Sequence, residues 1–208
     1  MKLQEIKGTY DAIFSLGDLC LASIQLRQNN LRPFAGVLDW MGSPLLSSVN
    51  RLLKYRFLEF MELPNMRIIG YADDIRIAVS DDAYHIVSSH DFMLGPNTLT
   101  RLGSYKEVKR KFDRRVQRFL EKVDTCQRIL FIRTEGDYED AAELQTVLYD
   151  LVRYDFKVLI VNHTDVGGLV EDNWPLEKVC AVQLPSINKW TANDHLWRRI
   201  FEGIQLSK

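Results

Sequence analysis

Two apolar, β-branched runs, residues 128–133 (RILFIR) and 157–162 (KVLIVN), bracket a stretch of helical composition from Tyr138 to Tyr154, and no other feature restricts the fold as much. A short apolar run without alternation is how a strand covered on both faces reads. A helix of this length is enough to carry the chain back to the start of a neighbouring parallel strand. Glu139, Asp140 and Glu143 fall in the first turns, where the positive end of a helix dipole favours acid. The spacing predicts a βαβ unit. Residues 179–184 (VCAVQL), ahead of Pro185, and residues 10–16 (YDAIFSL) supply further buried strands.

The rest of the chain decorates that unit. After the first strand, Asp18 is placed to cap a helix running to about Asn30, with Cys20 in its first turn. Residues 31–42 contain Pro33, two glycines and no period, which predicts a loop held down by Phe34 and Trp40. Ser43 and Pro44 then read as the cap and first position of a helix bearing Leu45, Leu46, Val49, Leu52 and Leu53. Between Met66 and Ser89 the period drops to two, with Asp-Asp turns, which predicts short antiparallel strands with His85 inside the last.

Ser104 and Glu107 have capping-box spacing ahead of a long helix. Its apolar face holds Tyr105, Val108, Phe112, Val116, Leu120 and Val123, and its other face is basic. A final helix is expected from about Asp194 to Ile204. The fold class that results is α/β: a three-layer αβα sandwich, a Rossmann-like mostly parallel sheet with a short antiparallel insertion, in one domain over residues 1–208.

Composition narrows the function. Lys and Arg number 27 against 28 Asp and Glu, so no global field draws the chain to nucleic acid or to an anionic membrane. No segment approaches 18 uninterrupted apolar residues, and the N-terminal residues mix acid and base without an apolar core, so a cytoplasmic protein with no membrane partner is expected. Cys20, Cys126 and Cys180 are odd in number and far apart, which favours free thiols over a disulfide framework or a metal site. There is no G-x-G-x-x-G, no G-x-x-x-x-G-K-[ST], no H-E-x-x-H and no G-x-S-x-G, so neither a cofactor nor a metal is expected.

Chemistry is expected at the carboxyl ends of the strands, where open α/β sheets bind ligands. Cys20 follows the first strand at a turn marked by Gly17, beside the positive end of a helix, which favours a thiolate, although Asp18 opposes it. His90 and Asp91 follow the antiparallel segment, Arg133 ends RILFIR, and His163 with Asp165 follows VLIVN. A thiol nucleophile needs a base within hydrogen-bond reach. From the residues alone His90, His163 and His195 all remain open as that base. Gly17, Asp18, Arg133, His163 and Asp165 are the candidate ligand-binding residues.

The segment 15–20 (SLGDLC), followed by Gln25, Leu26 and Arg27, by Leu31 and Arg32, and by Leu38, Asp39 and Trp40, resembles a bacterial domain family of unknown function catalogued as papain-like cysteine peptidases. The segment 90–92 (HDF) and the arginines ahead of residues 129–133 extend the resemblance over most of the chain. Leu38 stands where the family pattern has phenylalanine. The resemblance implies Cys20 as nucleophile, His90 as base, and Asp39 or Asp91 as the carboxylate that orients the base.

The expected function is a cysteine-dependent hydrolase, peptidase or acyl transferase acting on a small-molecule, glycan or peptide substrate. A second reading, which the resemblance also suggests, is a glycan-, nucleotide-sugar- or phosphate-binding protein of surface-polysaccharide metabolism, transferase-like and without covalent catalysis. It would use Arg133, His163 and the basic helix. A third is a scaffold that presents Trp174, Trp190 and Trp197 to a partner.

Overall fold

A computed structural model describes residues 1–207. Strands β1 (Gly8–Tyr10) and β2 (Ala12–Ser15) are separated at Asp11, whose carboxylate accepts hydrogen bonds from the backbone N–H groups of Gln127 and Arg128 at 2.8 and 2.9 Å. Helix α1 (Leu21–Gln28), strand β3 (Met41–Gly42) and helix α2 (Leu46–Lys54) follow. Next come β4 (Met66–Asp73), β5 (Arg76–Asp81), β6 (Ile86–Met93), the short β7 (Asn97–Thr98) and β8 (Arg101–Leu102), and the long α3 (Tyr105–Thr125). The last part holds β9 (Arg128–Thr134), α4 (Tyr138–Leu151), β10 (Asp155–Thr164), β11 (Val170–Asp172), β12 (Val179–Pro185), α5 (Asp194–Phe201) and β13 (Ile204–Leu206).

The fold is mixed α/β. A five-stranded sheet has the order β11-β12-β10-β9-β2, parallel except for β11 at its edge. The βαβ unit read from the sequence is β9-α4-β10, and Asp137 caps α4 by accepting from the Asp140 N–H at 2.8 Å. Along β9, Ile129 and Phe131 join one hydrophobic cluster while Leu130 and Ile132 join a second, so both faces of the sheet are covered. Phe14, Phe57, Phe119 and Phe131 meet in the first cluster, with Phe14 and Phe119 ring centres 4.7 Å apart. That contact fixes α3 against β2. The second sheet is antiparallel, in the order β3-β6-β5-β4, and corresponds to the insertion expected from the alternating pattern.

Several local expectations yield to tertiary contacts. Asp18 does not cap α1: its backbone is left-handed (φ 58°), and Cys20 occupies the cap position with no side-chain capping bond. The helix expected from Ser43 starts at Leu46, because the buried Ser43 hydroxyl is taken by the Arg133 guanidinium. A charge-assisted bond to a buried cation outweighs a helix cap. Ser104 does sit at the start of α3, yet its hydroxyl donates to Asn97 Oδ1 at 3.0 Å and caps nothing. His85 lies in the turn before β6, with φ 52°, and not inside a strand. The last helix stops at Phe201, where Gly203 (φ 79°) turns the chain into β13, which pairs parallel with β1.

Candidate active site

The turn from β2 into α1 is built before any chemistry is added. Ser15 Oγ accepts from the Gly17 N–H at 3.1 Å, and Gly17 O accepts from both the backbone N–H and the hydroxyl of Thr134, at 3.2 and 3.0 Å. Gly17 has φ 81°, and a Cβ there would stand 2.5 Å from Ser43 Oγ, so only glycine fits. Arg133 lies beneath. Its side chain is fully buried and makes four hydrogen bonds: to Leu16 O and Ser43 Oγ from Nη1, to Ser43 O from Nη2, and to Glu135 O from Nε. Burial lowers its pKa to about 10, against the carboxylates of Asp18, Glu135 and Asp140 that hold it up. Gly17 and Arg133 therefore brace the turn, and Arg133 has no free face to offer an anionic ligand.

The braced turn delivers Cys20, half-buried, with its Sγ 3.4 Å from His90 Nε2. His90 reaches the sulfur because of an irregularity in the antiparallel sheet. Ile77 pairs with Phe92 and Val79 with Ser88, so three residues of β6, Ser89 to Asp91, oppose the single residue Ala78 of β5. A bulge of this kind re-aims a side chain that a regular strand would hold in register. The sequence places His90 at a strand end, whereas β6 continues to Met93 and His90 sits within its bulge. Trp40 packs edge-on against the His90 ring, centre to centre 5.9 Å.

The two candidate orienting carboxylates are both occupied elsewhere. Asp39 is buried and accepts from Arg32 Nε at 2.6 Å and from the Gly36 N–H at 2.7 Å. Asp91 pairs with Lys111 and accepts from the Ser88 hydroxyl. Neither makes a hydrogen bond to His90. The third group is Arg76, at the start of β5, whose Nη1 donates to His90 Nδ1 at 2.8 Å. Nothing in the sequence singles out Arg76, since its place depends on the β5–β6 register. Burial pushes the Cys20 thiol above its ordinary value of 9.0, and the Asp39 carboxylate pushes it further. The backbone N–H groups of Asp18, Leu19 and Cys20 donate to no other described residue and lie beside the sulfur in the chain.

His163 belongs to a different cluster at the ends of β9 and β10. Its side chain is 2% exposed, and Nδ1 meets Glu135 Oε1 at 2.7 Å. Lys189 Nζ lies 3.2 Å from the same oxygen. Burial works against ionised Glu135, but the His163 ring and backbone N–H and the Lys189 charge outweigh it and hold the carboxyl below its ordinary value of 4.5. Asp18 has the opposite balance: burial raises its pKa despite the Arg133 and Lys189 charges. Among the described residues His163 Nε2 is buried without a partner, and no hydrogen bond joins this ring to Cys20. Asp165 is exposed in the bend after β10, and His195 is exposed on α5.

The basic face of α3 is more than a solvated surface. Arg118 donates to Ala35 O at 3.3 Å, and Arg118 and Lys122 stand over the Phe34 ring, which clamps the loop carrying Asp39 and Trp40. Among the described residues no group of three or more His, Cys, Asp or Glu side chains is placed to hold a metal ion. No described helix is long and apolar enough to cross a membrane.

Neither the curated proteins nor the solved structures contain a match to the chain. One family profile does match, over residues 11–166, a span that takes in Cys20, Arg76, His90, Glu135 and His163. With that span covering most of its 208 residues, the chain belongs to the family described as "Putative papain-like cysteine peptidase" (DUF1796).

Proposed function

We propose that this family member is a thiol hydrolase in which Cys20 attacks a carbonyl and His90 carries the proton. The observation that supports the reading is the 3.4 Å separation of Cys20 Sγ and His90 Nε2, joined by two side chains 70 residues apart in sequence. The thiol proton passes to the imidazole as sulfur bonds to the carbonyl carbon, and the same proton is returned to the leaving group when the tetrahedral intermediate collapses. The unengaged N–H groups of Asp18, Leu19 and Cys20 are suited to receive the oxyanion. Water then cleaves the acyl-enzyme. An acceptor other than water in that last step would make the protein an acyl transferase.

Two finer readings accompany this one. Separate hydrophobic clusters on the two faces of the parallel sheet favour the three-layer, Rossmann-like sandwich, on which a papain-like reaction would be carried by an architecture unlike a two-lobed protease. A cytoplasmic location is part of the same reading; among the described residues no helix is long and apolar enough to cross a membrane.

The test is site-resolved mass spectrometry of the intact chain treated with iodoacetamide and with iodoacetate between about pH 5 and pH 9. Cys20 is expected to be alkylated faster than Cys126, which is half-buried, and far faster than Cys180, which is buried and pushed up to about 12. A Cys20 no faster than Cys126 with either reagent removes the proposed nucleophile.

A further inference from the structure

The contact between Arg76 and His90 has a polarity that bears on the substrate, an inference that rests on the Cys20–His90 reading. A guanidinium has only donors, so His90 Nδ1 must present a lone pair to Arg76 Nη1 at 2.8 Å. In the neutral ring the hydrogen is then on Nε2, directed at Cys20 Sγ. That tautomer donates a hydrogen bond to sulfur but has no lone pair with which to take the thiol proton. Where a carboxylate occupies the third position it accepts from Nδ1–H and leaves Nε2 free as a base. Arg76 reverses that arrangement.

Arg76 is also poised to leave. Its side chain is 29% exposed, and its other polar approach is to the exposed Asp73 carboxylate, at 3.5 Å. The acids nearer the pair are spent, Asp39 on Arg32 and Asp91 on Lys111. Arg27, over the Trp40 ring that flanks His90, is a second guanidinium, and it has no ion pair among the described residues. A single guanidinium fork matches a single carboxylate.

We propose that Arg76 recognises a carboxylate on the substrate and, by transferring its hydrogen bonds to that group, releases His90 for catalysis, so that carboxylate-bearing acyl compounds are the substrates. Once Nδ1 is free, solvent moves the ring hydrogen from Nε2 to Nδ1. Nε2 then accepts the thiol proton, giving an imidazolium, while the sulfur electron pair forms the bond to the carbonyl carbon and the C=O π pair moves to oxygen. Collapse of the intermediate expels the leaving group, which takes the proton from Nε2. Arg76 is thus a specificity-determining and positioning residue.

Iodoacetate and iodoacetamide differ only in carboxylate against amide, and in each case an S–C bond forms and iodide leaves; the thiol proton goes to Nε2 where Arg76 has released the ring, and to solvent where it has not. Their rates at Cys20, divided by their rates at Cys126 in the same sample, isolate the effect. In the wild-type chain the iodoacetate-to-iodoacetamide ratio at Cys20 is expected to exceed that at Cys126 by about ten-fold. Arg76→Gln is expected to abolish that excess and to raise the iodoacetamide rate, because the ring is no longer held in the wrong tautomer. Arg76→Lys, which keeps the charge, is expected to retain most of the preference and serves alone if the glutamine variant does not fold. A ratio at Cys20 equal to that at Cys126 in the wild type, or unchanged by Arg76→Gln, overturns the inference while leaving a reactive Cys20 intact. A Cys20 slow toward both reagents in every chain overturns the underlying reading as well.

Discussion

Arg133 and Ser43 are joined twice, Nη1 to the hydroxyl at 3.0 Å and Nη2 to the backbone carbonyl at 2.6 Å. This pair ties the carboxyl end of β9 to the segment before α2 and, through Leu16 O, to the turn that carries Cys20. Replacing the guanidinium strands several buried oxygens. Arg133→Met is expected to cost at least about 4 kcal/mol, since it leaves four acceptors without their donor and each unpaired buried group costs about 1–3 kcal/mol. Urea denaturation measures it, and Ser43→Ala, which removes only the hydroxyl, is expected to cost less.

The hydrogen bonds from His163 to the Glu135 carboxylate give stability a defined acid dependence. The folded-state value of Glu135 is below its ordinary 4.5, so its contribution is fully present above that value and is lost as pH falls through the lower, folded one. Glu135→Gln is expected to lower the urea midpoint near pH 7. The gap from the wild type is expected to close as pH falls below 4.5 and through the lower, folded-state value. A gap that stays constant over that range would assign the loss to packing instead of ionisation.

The Asp39 carboxylate is one of two causes that hold the Cys20 thiol up, after burial. Asp39→Asn keeps an oxygen for Arg32 Nε and the Gly36 N–H but removes the charge. The midpoint of Cys20 alkylation against pH is expected to move lower in the variant. Its melting temperature is expected to fall, because Arg32, little exposed, loses its anion.

What the sequence made legible follows from what is encoded locally. β9, α4 and β10 were readable because strands buried on both faces appear as unbroken apolar runs and the helix between them carries Glu139, Asp140 and Glu143 in its first turns. The antiparallel strands were readable from alternation. Ser43 and Ser104 misled because the signal for a cap is local, while the groups that claim their hydroxyls, Arg133 and Asn97, arrive from elsewhere in the fold. β1 and β13 are three residues each and pair across nearly the whole chain, which no local pattern records.

The site divides in the same way. Cys20 stood out through the glycine turn before it, and His90 through its position after the antiparallel segment. The bulge that turns His90 to the sulfur is a mismatch of register between two strands, and Arg76 enters through that same register. The family resemblance implied Asp39 or Asp91 as the orienting carboxylate, and their engagement by Arg32 and Lys111 could not be read from sequence.

The most direct test of the Cys20–His90 pair is the rate of Cys20 alkylation by iodoacetate at neutral pH in the wild-type chain and in His90→Ala. Proton transfer by a positioned side chain contributes about 100-fold or more, so a fall of at least about ten-fold at Cys20, with Cys126 unchanged, is the predicted result. Equal rates at Cys20 in the two chains would contradict the pairing.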